Sequence, residues 1–373
     1  MEKGPSQADI RNVYSRPDQK TEIQDVTVRH EKAAHRMKTM IYGAGSLGTI
    51  LGALLSINNE DVLLVSRNEE HIASLQANGA EIRGNMSLHT PVKASLPGEI
   101  CGKYDIIFLM TKQLDNTNIA LRLRDFLADD GVICTTQNGI PEFSLREALD
   151  DRQILSAVIP WSATYVSPGV SALTSPAGSV RFTVGSPFVR NDTAVEKAMN
   201  VLRKAGKTET DQDILSMRWS KLLVNASVSA FSSSLGMKCG DVTHKEKYQE
   251  VCLRILRECI DVGRASGAIF RSVNDFPVVD RLYFSGGQEL AGKKVALVEA
   301  FDSIRESESS ILQDLRKGRK TEIHAINGIV CSKGRELGIP TPFNDCVVSV
   351  IEKIENGIIA AEAANFSCYT EIL

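Results

Sequence analysis

A lysine, an asparagine and a serine recur at four-residue intervals in the stretch Arg218-Trp219-Ser220-Lys221-Leu222-Leu223-Val224-Asn225-Ala226-Ser227-Val228-Ser229. On a helix, positions i, i+4 and i+8 share one face, so Lys221, Asn225 and Ser229 form a polar stripe. The rest of the segment is too apolar and too rich in small residues for a surface helix. Burying such a stripe is costly unless it faces a polar cavity or is paired. A lysine so placed has its pKa lowered by desolvation, which suits it to give up a proton. The stretch by itself equally admits a lysine that snorkels to solvent at the start of the helix. A second candidate is Glu322, in Arg319-Lys320-Thr321-Glu322-Ile323-His324. It falls in the first turn of a further predicted helix, where a carboxylate is favoured by the helix dipole whether or not it serves a site.

The other chemistry-bearing motif is Gly43-Ala44-Gly45-Ser46-Leu47-Gly48. It has the strand-before, helix-after context that gives a G-x-G-x-x-G its value. Gly43 permits the tight turn, Gly45 lets the backbone approach a pyrophosphate, and Gly48 lets the helix pack on the strand. The pyrophosphate then meets the backbone of Ala44, Ser46 and Leu47 at a helix N-terminus. An NAD site expects an acidic residue at the end of the second strand to hold the ribose 2′-OH. Ser66-Arg67 stands there instead. A guanidinium binds a 2′-phosphate that a carboxylate would repel, so NADPH is the expected cofactor. Thr111-Lys112 and Gln137-Asn138-Gly139 end two further predicted strands, which brings Lys112 and Asn138 to the same sheet edge. Each alone also reads as a surface lysine or a turn asparagine.

These groups need a scaffold. Lys38–Tyr42, Asp61–Val65, Asp105–Met110 and Gly131–Thr135 read as strands. They alternate with helices over Thr49–Ser56, Glu69–Asn78 and Asn116–Leu127, and residues 80–95 read as extended with turns. That alternation predicts a Rossmann-type, doubly wound parallel sheet. Gln153–Ile159, Val170–Leu173 and Val180–Val184 read as three more strands, closing a cofactor-binding domain over residues 37–206. Long helical patterns follow: Ile214–Leu235, Tyr248–Ala265, Val295–Leu315, Glu322–Leu337 and Phe343–Asn356. The expected architecture is therefore α/β, with a C-terminal, mostly α-helical substrate domain over 207–360 and a tail over 361–373. Residues 267–292 read as a connection or insertion.

With 373 residues, two domains are expected. The formal net charge of −3 gives no general pull toward nucleic acid or an anionic membrane. The basic run Arg316-Lys317-Gly318-Arg319-Lys320 reads as a solvated helix end. None of the eight cysteines forms a C-x-x-C pair, and several sit in apolar patterns, as expected of reduced thiols rather than a disulfide framework. The six histidines lack metal-ligand spacing, so no metal is expected. No apolar run approaches the roughly 20 residues that span a bilayer. Residues 1–36 are polar and of mixed charge, lack an apolar signal core, and read as a disordered extension. The expected location is the cytoplasm.

At these residues the chain resembles the ketopantoate reductase (2-dehydropantoate 2-reductase) family. The resemblance covers roughly residues 38–356. It is carried by Gly43–Gly48, Lys112, Asn138-Gly139, the run Trp219 to Asn225, Ser309-Ser310-Ile311-Leu312-Gln313-Asp314, Lys320-Thr321-Glu322-Ile323 and Asn327-Gly328. It implies that Gly43, Gly45, Gly48 and Arg67 bind NADPH, with Lys112, Asn138 and Glu322 as further cofactor ligands. It implies Lys221 as the proton donor, Asn225 and Ser310 as substrate contacts, and Glu322 at the junction of cofactor and substrate. The chain departs from the family pattern at Ser229, where a substrate-contacting asparagine is often found, and at Cys239, where another asparagine is expected.

The resulting expectation is NADPH-dependent reduction of 2-dehydropantoate to pantoate, on the route to pantothenate and coenzyme A. A small-molecule 2-oxo acid is then the partner, and a homodimer is left open. Two other readings stand beside it: a reductase of another small 2-oxo acid on the same fold, and a non-catalytic NADPH-binding sensor. Retention of both Lys221 and Glu322 speaks against the sensor.

Overall fold

A computed structural model describes residues 37–272 and 279–373. The expected extension over 1–36 lies outside the described residues, as do positions 273–278 of the predicted connection. The chain begins with β1 (Lys38–Tyr42), α1 (Ser46–Ile57), β2 (Asp61–Val65) and α2 (Glu69–Asn78). Three short strands follow, β3 (Ala80–Gly84), β4 (Leu88–Thr90) and β5 (Lys93–Ser95). Next come β6 (Tyr104–Leu109), α3 (Asn116–Arg124), β7 (Leu127–Thr135), α4 (Glu142–Leu145) and β8 (Ile154–Val158). The sheet portion closes with β9 (Ala163–Ser167), β10 (Val170–Leu173), β11 (Arg181–Gly185), α5 (Asp192–Leu202) and β12 (Lys207–Thr210).

Eight of the strands form one sheet in the order β12-β11-β8-β7-β6-β1-β2-β5. From β5 to β8 every pairing is parallel. β11 runs antiparallel to β8, and β12 runs parallel to β11. Alternate residues feed two cores, as a parallel sheet covered on both faces requires. Ile41, Ile106 and Phe108 join one cluster, while Met40, Ile107 and Leu109 join the other. β1 lies between β2 and β6, so the chain leaves it in one direction and returns on its other side. Such a switch point opens a crevice at the carboxyl ends of the strands, where ligands of doubly wound sheets bind.

The sequence places Val170–Leu173 in the closing strands of this domain, but the structure assigns it to a second sheet, β4-β3-β10-β9. That sheet packs against α1. β12 also lies beyond residue 206, because it pairs with β11 as the last strand of the main sheet.

The second portion is helical. It contains α6 (Ile214–Val224), a π turn over Asn225–Ser229, α7 (Ala230–Ser234), α8 (Cys239–Thr243) and α9 (Glu246–Ala265). α10 (Leu290–Phe301), α11 (Ser310–Arg316), α12 (Ile323–Leu337), α13 (Pro342–Glu355) and α14 (Ser367–Thr370) follow. α9 runs through the middle of this core, with Val251, Leu253, Ile255, Leu256 and Ile260 buried.

Two expectations are corrected here. The single helix read over Val295–Leu315 is broken after Phe301. The carbonyls of Arg305 and Ser307 turn away to accept the N–H groups of Gly240 and Cys239 at the start of α8. Ser309 then caps α11 by accepting from Leu312 N at 3.0 Å. The segment read as a tail is docked: Tyr369 is fully buried, and its hydroxyl donates to Ser234 Oγ at 2.8 Å. Among the described residues, no helix is long and apolar enough to cross a membrane.

Candidate active site

The glycine loop sits on the carboxyl end of β1. Gly43 has φ +111°, and a Cβ there would lie 2.5 Å from the Met110 carbonyl carbon and the Thr111 nitrogen. The N–H groups of Gly43 and Ala44 both donate to Val65 O, at 2.9 and 2.8 Å. The turn is thus pinned between the ends of β2 and β6. A Cβ on Gly48 would lie 2.4 Å from Gly43 O, so helix and turn are in closest contact there. A Cβ on Gly45 would meet nothing within 4 Å, so the backbone stands open at the position assigned to the pyrophosphate. α1 opens with no acidic residue in its first turn and no side-chain cap. Its first amides and its dipole therefore remain available to an anion. Arg67 is exposed at the end of β2, beside Asn68, which caps α2 by accepting from His71 N at 3.0 Å.

The loops after β6 and β7 bring the second set of groups. Gly139, at φ +72°, lets the loop after β7 press on the start of α12, where an added Cβ would lie 2.4 Å from Ala325 O. Asn138 therefore lies next to the helical portion. Its Oδ1 accepts from Lys221 Nζ at 3.1 Å, and the same ammonium donates to Ile159 O at 2.7 Å. Lys221 lies near the end of α6, followed by the π turn that carries Asn225 and Ser229, both of which, like Lys221, are half-buried. The turn is closed by Ala230 N–H donating to Asn225 O. Such single π turns occur frequently at functional sites. Burial first and nearby Arg218 second, partly offset by Glu322, together bring the Lys221 ammonium down to about 7. Of the two readings of this lysine, the structure has the anchored one rather than a free snorkelling chain.

Glu322 lies one residue outside α12, as its N-cap, rather than inside the first turn. Its Oε1 accepts from Gln113 N at 3.0 Å. Burial pushes its carboxyl pKa up, against the Gln113 amide and Lys112, which lower it. Lys112 is half-exposed and paired with Asp314 at 2.5 Å. Ser310 is exposed as the first residue of α11, directly after the buried cap Ser309, whose hydroxyl is hydrogen-bonded to Ser233. The basic run is exposed, with Lys320 bonded to Glu355 at 3.2 Å and Asn356 at 3.1 Å. Burial pushes the Cys134 and Cys331 thiols up to about 12, so neither is an activated nucleophile.

The structure thus joins Lys221, Asn138 and Ile159 directly. Glu322 connects to Asn138 through Gln113, whose side-chain amide donates to Asn138 O. Sequence reasoning missed Gln113, because its partners lie 25 and 209 residues away. It also missed Arg218, which is buried and ion-paired with Glu142 at 2.8 Å. An arginine one turn before Lys221 in an apolar helix was the available signal.

A doubly wound sheet with an open glycine turn, facing a desolvated lysine on a helical domain, defines a dinucleotide-fold oxidoreductase. The chain belongs to the ketopantoate reductase family: the family described as Ketopantoate reductase PanE/ApbA matches residues 39–186, and its C-terminal counterpart matches residues 213–355. It is 29% identical to the 2-dehydropantoate 2-reductase of Archaeoglobus fulgidus over 322 residues, 86% of this chain and 99% of that protein. It is 26% identical to the 2-dehydropantoate 2-reductase of Pyrococcus horikoshii, over 86% of this chain and 98% of that one. The fold is shared with a PanE/ApbA family ketopantoate reductase from Ralstonia eutropha, at TM-score 0.72 and 23% identity over 86% of this chain and 99% of that one. It is shared equally with D-mandelate dehydrogenase solved with NADH and anilino(oxo)acetate, at TM-score 0.73 and 21% identity over 86% and 99%.

Proposed function

We propose that this protein reduces 2-dehydropantoate to pantoate with NADPH, Lys221 giving the proton. The observation that carries the reading is the Lys221 ammonium, held by Asn138 Oδ1 and Ile159 O beside the carboxyl edge of the sheet. The residues present fit a dinucleotide: the open backbone at Gly45, the uncapped start of α1 and the exposed guanidinium of Arg67. Gly43, Ala44, Ser46, Leu47 and Gly48 complete the pyrophosphate turn, with Lys112, Asn138 and Glu322 toward the nicotinamide end. The cofactor, when bound, supplies a hydride to the ketone carbon. Lys221 stabilises the charge that gathers on the carbonyl oxygen and protonates it. A pKa near 7 makes that proton easier to give than an ordinary lysine's, while leaving a substantial protonated fraction at neutral pH. Asn225, Ser229 and Ser310 hold the carboxylate and hydroxyl end of the substrate. Glu322 orients the cofactor side through its bond to Gln113.

A second reading, another 2-oxo acid, is favoured by two observations. Ser229 and Cys239 replace expected amides, and the neighbouring D-mandelate dehydrogenase structure holds NADH with an oxoacetate derivative. The deciding experiment is cofactor oxidation with NADPH and NADH against 2-dehydropantoate, benzoylformate, pyruvate and branched 2-oxo acids. The highest kcat/KM is expected for NADPH with 2-dehydropantoate. A strong preference for another acid would replace that assignment, and no turnover on any acid would sink the reductase reading.

A further inference from the structure

Beyond the effect of Arg218 on the Lys221 pKa, the buried Arg218–Glu142 pair has no part in the chemistry described above. Its side chains are 1% and 0% exposed. Arg218 Nη1 donates to Gln137 O at 2.6 Å and Nη2 to Thr135 O at 2.9 Å. Nε donates to Glu142 Oε1 at 2.8 Å and Ser156 Oγ at 2.9 Å, and Ser156 Oγ donates to the same carboxylate oxygen at 2.6 Å. One guanidinium on α6 therefore grips the end of β7, the middle of β8 and α4. Gln137, whose carbonyl it holds, immediately precedes Asn138. Arg218 also lies one helical turn before Lys221. As a stabilising device the arrangement is poor. A buried ion pair recovers little of its desolvation cost, and well-packed apolar replacements are often neutral or better. Glu142 Oε2 moreover has no hydrogen-bond partner among the described residues.

We propose that Arg218 and Glu142 are positioning residues for the reaction: by fixing the Thr135 and Gln137 carbonyls to α6, they hold Asn138 and Lys221 at the spacing where ammonium and amide meet. The inference rests on the reading of Lys221 as proton donor. Lys221 is faced by Arg218 on its own helix, by Glu322 at the start of α12, and by the polar atoms of Asn138 and Ile159 from the loops after β7 and β8. Lys112 and Asp314 act in turn on Glu322.

The test is the double variant Glu142→Leu/Arg218→Met, which leaves no unpaired buried charge, assayed with NADPH and 2-dehydropantoate and crystallised. Its unfolding midpoint should stay close to that of the wild type, the relief from burying two charges offsetting the donors lost to the Thr135 and Gln137 carbonyls and to Ser156. kcat should fall roughly hundredfold, the loss expected of an ångström-scale misplacement, with NADPH affinity unchanged. The crystal structure should show the contact between Lys221 and Asn138 broken. With the guanidinium gone, the fall in rate on the alkaline side should also move to higher pH. Arg218→Lys, which keeps a cation but not the planar fork, should lose kcat while keeping the pH profile, and it serves if the double variant does not fold. Unchanged kcat, or lost kcat with the contact intact, overturns the proposal. If Lys221→Met retains turnover, or the wild type reduces no 2-oxo acid, the function reading fails instead, and the crystallographic arm still decides the clamp.

Discussion

Lys221 Nζ lies 3.1 Å from Asn138 Oδ1, across 83 residues of chain and across the seam between the helical portion and the sheet. The contact joins the group that would give a proton to a loop at the carboxyl end of β7. Ile159 O completes the anchorage at 2.7 Å. The ammonium is thereby directed to one place instead of sweeping the cleft, which is what a general acid requires.

Lys221→Met should lower kcat by about 10²–10⁴, the range of general-acid catalysis, while NADPH binding stays close to wild type. In the wild type, reduction requires the protonated amine. kcat/KM for reduction should therefore be level at low pH and fall as pH rises through about 7. Steady-state kinetics from pH 5.5 to about 9.5 check this, and a profile flat across the folded-state pKa would remove Lys221 from the proton-donor role.

The same lysine should also be visible in stability. Its pKa is about 7 when folded and 10.5 when free. Between those values the unfolded chain binds a proton that the folded chain does not, so unfolding free energy rises with pH. Below about 7 both states are protonated, and the cost of burying the charge is present in full. Relative to Lys221→Met, the wild type should gain stability as pH climbs from 7 toward 10.5. Urea titrations of both proteins at several pH values measure the difference; a wild type that fails to gain on the variant between pH 7 and 10.5 contradicts the lowered pKa.

Two glycines of the same motif should fail differently. Gly48→Ala forces a Cβ to 2.4 Å from Gly43 O, so the helix must shift from the turn. A loss of about 1–3 kcal/mol of stability is expected, as for overpacking elsewhere. Gly45→Ala meets no neighbour within 4 Å and should melt like the wild type, yet bind NADPH more weakly because the methyl occupies the pyrophosphate's approach. Thermal unfolding and NADPH titration together separate the two; equal losses of stability would mean that Gly45 is needed for folding rather than for the ligand.

Arg67 is exposed and makes no ion pair with another described residue, so its removal should leave the fold intact. Arg67→Ala should raise KM for NADPH by about tenfold or more, the scale of a lost charge-assisted contact, with little change for NADH. A parallel change for both cofactors would place the 2′-phosphate elsewhere.

The order of strands and helices around the cofactor crevice was legible because it is written in short-range patterns. β6 reads as Tyr-Asp-Ile-Ile-Phe-Leu and is buried throughout, as its apolar run predicts. β1 and α2 begin and end where their patterns do. The helix read over Val295–Leu315 failed for the opposite reason. Its residues tolerate a helix locally, but the carbonyls of Arg305 and Ser307 are claimed by the N-terminus of α8, some 65 residues earlier in the chain.

The site divides along the same line. The sequence by itself determined the glycine turn and the arginine in place of an acid after β2, since backbone geometry fixes both over a few residues. The even four-residue stripe of Lys221, Asn225 and Ser229 presupposes a regular helix, whereas the structure has a π turn over Asn225–Ser229. Only the tertiary structure decided what the lysine meets, that Gln113 bridges Glu322 to Asn138, and that Arg218 and Glu142 lie buried together. Those contacts join residues between 25 and 209 positions apart. No local propensity encodes such separations. They arise when the sheet order and the packing of α6 and α12 bring strand ends and helix starts to a common edge, and burial there lowers the Lys221 pKa and raises that of Glu322.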